Sequence, residues 1–87
     1  MATRESIDNC LQNCEEVLGI AQQQYEEASR QEHYNDDLYT QSQQLLETAY
    51  NELEHLAQSA NDQQRHQLAR MRIQIEQMQH NMIILRH

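Results

Sequence analysis

Cys10 and Cys14 stand four residues apart, and they are the two cysteines of the 87-residue chain. On a helix that spacing puts both thiols on one side, where they could supply half of a tetrahedral metal site or the two halves of a redox couple. A tetrahedral site needs two more ligands, and no histidine lies near them in the sequence. A disulfide within one helical turn is strained. The simpler reading places Cys14 in an apolar helix face and Cys10 at its edge. Glu52-x-x-His55 has the i,i+3 spacing that carboxylate-bridged di-iron bundles use. Those sites require a second such motif and two more inward glutamates. With Leu53 and Leu56 expected to point inward, Glu52 and His55 turn toward water.

A third group gathers only if the chain folds back twice. His33, Asp36 and Asp37 would then share one end of the molecule with Arg86 and His87. Carboxylates and imidazoles together suit a divalent metal. As solvated caps and surface ion pairs they are worth only about 0–1 kcal/mol each. None of the three groups is complete, so the expectation is no bound metal and no cofactor. The single glycine leaves no Gly-rich phosphate loop and no nucleophile elbow. Nor does a short helical rod readily form the concave site that catalysis needs. The chain reads as non-enzymatic.

The elements that would position these residues follow from composition and periodicity. With no proline, one glycine and fifteen glutamines, the chain favours long helices. β-branched residues are few, which leaves little for a sheet to build from. Ile7, Leu11, Cys14, Leu18, Ala21, Tyr25 and Ala28 alternate steps of four and three, predicting a first helix over about 3–32. Thr3 is its expected N-cap, and Gly19 within it would permit a close helix approach. Asn35 predicts the start of a second helix, with Asp36 and Asp37 in the first turn and Tyr34 and Tyr39 as a hydrophobic staple. That helix should span about 36–58 and bury Leu38, Leu45, Leu46, Ala49, Leu53 and Leu56, with Ala60 just beyond.

Asn61 and Gln64 have capping-box spacing and predict a third helix over about 62–85. Its seam is Leu68, Met71, Ile75, Met78, Met82 and Leu85. At about 1.5 Å per residue the three helices are close enough in length to lie side by side. The predicted fold is therefore all-α, a single domain over residues 1–87, built as an antiparallel up-down-up three-helix bundle. The alternative is a helical hairpin in which residues 36–85 form one long helix, whose overhang would demand a dimer.

Charge narrows the partners. The net charge is −8, and lysine is absent. Residues 1–60 hold twelve acids and two arginines, whereas residues 61–87 hold four arginines and two acids. An acidic surface repels phosphate backbones and anionic lipid, so neither nucleic acid nor membrane is expected. The opening residues lack the apolar run of a secretory signal, and the longest apolar run, Met82-Ile83-Ile84-Leu85, is far too short to span a bilayer. The cytoplasm is the expected compartment.

One feature exceeds what a core requires. Val17 and Ile20 flank the first apolar row, and Ile73, Ile83 and Ile84 flank the third. They form the candidate face for self-association, as a homodimer, or for gripping a partner helix. The leading expectation is thus a small non-catalytic protein–protein interaction module. Two alternatives stand beside it: a metal- or redox-responsive helical protein, and an acidic mimic of nucleic acid.

The segments Gln31-Glu32-His33-Tyr34-Asn35-Asp36 and Ser59-Ala60-Asn61-Asp62-Gln63-Gln64-Arg65 carry a resemblance. Met71-Arg72, Asn81-Met82-Ile83 and the opening Met1-Ala2-Thr3-Arg4 add to it. Together they resemble the YtzC-like family of small Bacillus proteins over nearly the whole chain. The resemblance implies a bacterial cytoplasmic setting and assigns no activity, substrate or residue role.

Overall fold

A computed structural model describes residues 3–30 and 36–85. Among these, the chain forms three helices and no strand: α1 (Arg4–Arg30), α2 (Asp36–Ala57) and α3 (Asp62–Leu85). Each packs against the other two, giving a body of 45 × 19 × 14 Å. The 27 residues of α1 account for about 40 Å of that length at 1.5 Å each. Cross-helix pairs fix the directions. Tyr39 meets Met82 and Glu54 meets Arg72, so α2 and α3 run antiparallel. Residues near Arg4 share a cleft with residues near Asn61, and residues near Leu18 share one with residues near Asn81. α1 and α3 are therefore parallel, and the order is up-down-up. The three-helix bundle expected from the periodicity is the observed fold, and the long-helix alternative is excluded by the break between Ala57 and Asp62.

The helix ends explain how a turn without glycine or proline is possible. Thr3 caps α1: its hydroxyl accepts the Ser6 amide at 3.0 Å, and its carbonyl accepts the Ile7 amide at 3.1 Å. The Thr3 and Ser6 hydroxyls are also hydrogen-bonded to each other. At the second turn, the Gln58 and Ser59 amides donate to the His55 and Leu56 carbonyls, tightening the end of α2. Arg65 Nε donates to the Ala57 carbonyl at 3.2 Å. Then Asn61 and Gln64 close a reciprocal capping box: the Gln64 amide donates to Asn61 Oδ1 at 2.8 Å, and the Asn61 amide donates to Gln64 Oε1 at 3.0 Å. Between them Ala60 is buried, a side chain small enough to seal that end of the core. Polar side chains thus satisfy the orphan backbone groups that a glycine turn would otherwise satisfy.

The core is built from three rows, and two differ from expectation. In α1 the buried residues are Ile7, Cys10, Cys14, Val17 and Ala21. Leu11, Leu18, Tyr25 and Ala28 pack half-buried at the side. The face keeps Ile7, Cys14 and Ala21 of the expected row but takes in Cys10 and Val17 where Leu11 and Leu18 were expected. In α2 the buried residues are Tyr39, Ser42, Leu46, Ala49 and Leu53, while Leu38 and Leu45 are exposed. The regular three–four step runs through a tyrosine and a serine, so weighting the leucines misplaced the row. Ser42 is tolerated there because its hydroxyl donates to the Leu38 carbonyl at 2.9 Å. In α3 Leu68, Met71, Ile75, Met78 and Met82 are buried, matching the expected seam except at its last member, Leu85, which is half-buried. Gly19 does not serve a close approach: a Cβ there would meet nothing within 4 Å.

Candidate functional site

The most chemically loaded place inside the bundle is the α1–α2 contact at Cys10, Cys14 and Glu52. Cys10 and Cys14 are both buried and both free. They face inward because α1 presents residues 7, 10, 14, 17 and 21 as one row. Burial, then the neighbouring Cys14 and Glu52, pushes the Cys10 thiol from an ordinary 9.0 up to about 12. The Cys14 thiol is also raised, by burial first; its hydrogen bond with Cys10 partly opposes this and Glu52 adds to it. A thiol held protonated is a poor nucleophile and a poor metal ligand. What this arrangement does chemically is keep two S–H groups inside an apolar wall with an acid at the rim.

Around Glu52 and His55 no further ligands gather among the described residues. Glu52 and His55 are exposed, with Glu52 at the edge of α2 that borders α1. Asp36 and Asp37 are exposed in the first turn of α2. His33, Tyr34, Asn35, Arg86 and His87 lie outside the described residues, so the end cluster, the cap and the staple expected there do too. Among the described residues, no three His, Cys, Asp or Glu side chains are grouped to hold a metal ion.

Two features went unread in the sequence. The Tyr39 hydroxyl, buried, donates to the Met82 carbonyl at 2.6 Å. Met82 lies in the last turn of α3, where carbonyls lack helical partners, so the bond ties the start of α2 to the end of α3. The signal was present as a tyrosine on the regular α2 row. On the outside, Arg72 Nη1 meets Glu54 Oε1 at 2.8 Å, and Arg72 Nε lies 3.4 Å from Glu76 Oε1 without hydrogen-bond geometry. Glu54, by hydrogen bond and charge, raises Arg72 further above its usual range. Tyr50 in the same cluster is raised by burial of its phenol and then by Glu54. Pairs spaced across helices have no short-range periodicity to reveal them.

Of the five face candidates, Val17 is buried and leaves the set. Ile20, Ile73, Ile83 and Ile84 are 47–57% exposed, and Leu38 and Leu45 join them at 43% and 40%. Two strips result. Leu38, Leu45 and Glu52 stand seven apart along the edge of α2 that borders α1. Counted outward from the Cys10–Glu52 neighbours, Ile20 lies level with residue 42, between Leu38 and Leu45. The second strip is on α3: Ile73 and Ile84 lie on the side facing away from the core, with Ile83 to their flank.

A small acidic three-helix bundle with apolar strips outside and a closed interior is the class of protein that these features define. The chain belongs to the family described as Protein of unknown function (DUF2524), whose model matches residues 1–84. It is 51% identical over 84 residues to "Uncharacterized protein YtzC" of Bacillus subtilis (strain 168), covering 97% of this chain and 93% of that protein. No solved structure matches. Among the described residues, no helix is long and apolar enough to cross a membrane.

Proposed function

We propose that this chain is a non-catalytic protein–protein interaction module of the bacterial cytoplasm, gripping its partner through the Ile20–Leu38–Leu45 strip. The observation that carries the reading is the exposure of these side chains beside a complete core. Each is 40% or more exposed, although the same three helices bury fourteen apolar residues elsewhere. Apolar groups aligned along one edge gain on burial roughly 25 cal/mol per Å², and a partner helix laid along the α1–α2 edge would cover all three at once. Burial holds the interior thiols protonated, which weakens them as nucleophiles and as metal ligands and supports a non-catalytic reading.

Affinity capture from a native cell extract tests this reading. The wild type should enrich a protein that Ile20→Glu/Leu45→Glu fails to enrich, while melting curves show both chains folded. Captures identical for the two chains would sink it. A capture insensitive to Ile20→Glu/Leu45→Glu yet lost in high salt would favour the acidic-mimic reading instead, because screening weakens charge contacts and spares apolar ones.

A further inference from the structure

We propose that the outward face of α3 binds the same face of a second copy of this chain, antiparallel, about a two-fold axis between Met78 and Gln79. The inference deepens the interaction-module reading but uses a different surface. Ile73 and Ile84 are eleven residues apart, three helical turns, so they share one side of α3. They are 52% and 57% exposed. The row between them is Gln77 and His80, both exposed. Beside Ile73 a shallow concavity of about 410 Å³ is lined by Ile73, Glu76, Gln77, His80 and Asn81.

This face is self-complementary in one register. An antiparallel copy centred between Met78 and Gln79 sets Ile73 against Ile84 of the second copy, and Gln77 against its His80. Ile84 of the second copy then fills the concavity, and by symmetry the reverse contact forms a few turns away. The carboxylate of Glu76 meets His80 of the second copy, twice per dimer. Isologous contacts of this kind close on themselves.

Charge selects α3 for the contact. α1 carries six carboxylates against two arginines, and α2 carries five carboxylates and no arginine. α3 carries three arginines and two acids. Two copies of a chain with net charge −8 repel least where α3 faces α3. Contact over about three turns covers less than the ~1,600 Å² of a standard stable interface. The dimer is therefore reversible, with Kd on the order of 10–100 µM.

Sedimentation equilibrium of the full chain from about 5 to about 500 µM spans that range. The weight-average mass should rise from 10.4 kDa toward twice that value. Ile84→Glu should weaken the dimer tenfold or more, about the 1.4 kcal/mol that a tenfold change represents. Glu76→His and His80→Glu should each weaken it, and the exchange variant carrying both should recover the wild-type Kd within about twofold. Ile20→Glu/Leu45→Glu should leave it unchanged. A mass fixed at 10.4 kDa, a dimer indifferent to Ile84→Glu, or an exchange variant as weak as the single variants would overturn the assignment. A strict monomer would remove this contact without affecting capture through the α1–α2 strip, and a failed capture would leave the dimer standing.

Discussion

Single side chains carry much of the specificity in this bundle. Tyr39 couples the first turn of α2 to the last turn of α3 through one buried hydrogen bond. Tyr39→Phe keeps the ring and removes the donor whose buried hydrogen bond the Met82 carbonyl accepts. Such a loss costs about 1–3 kcal/mol, which urea denaturation of the two chains will read as a lower midpoint with an unchanged slope. The thiols make a pH-dependent contribution. The Cys10 thiol titrates at about 12 in the folded chain against an ordinary 9.0. The unfolded chain therefore releases its proton first as pH rises. The stability held by this group is complete below about pH 9 and is lost through pH 12. Wild type should lose stability over that window more steeply than Cys10→Ala/Cys14→Ala. At pH 7 the variant should be the less stable of the two, by about 1 kcal/mol per buried sulfur removed. Equal alkaline slopes would show that the sulfurs are not where the structure puts them.

At the scale of the helix, legibility depends on whether a signal is local. The Asn61–Gln64 box, the Thr3 cap and the α3 seam were all readable. Each is a fixed spacing within one or two turns, and the buried residues of α3 fall on a single unbroken row. α2 misled because its strongest hydrophobes are not all on its regular row. Leu38 and Leu45 lie one step off a face completed by Tyr39 and Ser42. Which side of a half-apolar helix turns inward is decided by its neighbours, and a tyrosine with a distant carbonyl to reach outweighs a leucine at the edge. The α1 row was shifted for a similar reason: Cys10 and Val17 were assigned to the margin, and the contact with α2 draws them in. The thiol pair was visible as a spacing, but the nearness of Glu52, on another helix, was not. Gly19 supplies a test at this scale. A methyl group there meets open space, so Gly19→Ala should stabilise the chain by about 1 kcal/mol through helix propensity alone. Asn61→Ala should do the opposite by about 1 kcal/mol. Thermal melts of both variants check the signs, and a destabilising Gly19→Ala would mean that something packs on that side of α1.

For the whole molecule, the fold decides which surfaces exist. Because α3 returns parallel to α1, all three apolar rows close on one another and the acidic α1 and α2 surfaces cover two sides. The less acidic α3 forms the third. Apolar residues that the core does not use are then presented outward, at the α1–α2 edge and on the outer side of α3, and the proposed contacts follow from that arrangement. An unbent helix from residue 36 onward would carry Ile73 and Ile84 away from the bundle and leave the α1–α2 edge without α3 behind it.

The parallel placement of α1 and α3 is thus the claim on which the account stands, and an electron-spin distance measures it directly. Gln22 and Gln77 line the same cleft, so nitroxide labels at cysteines replacing them, in a Cys10→Ala/Cys14→Ala background, should lie within about 20 Å. The distance should persist when the labelled chain is diluted with unlabelled chain. A separation near 55 Å, the span set by about 1.5 Å per residue along an unbroken second helix from residue 40, level with Gln22, to residue 77, or a short distance lost on dilution, would contradict the bundle.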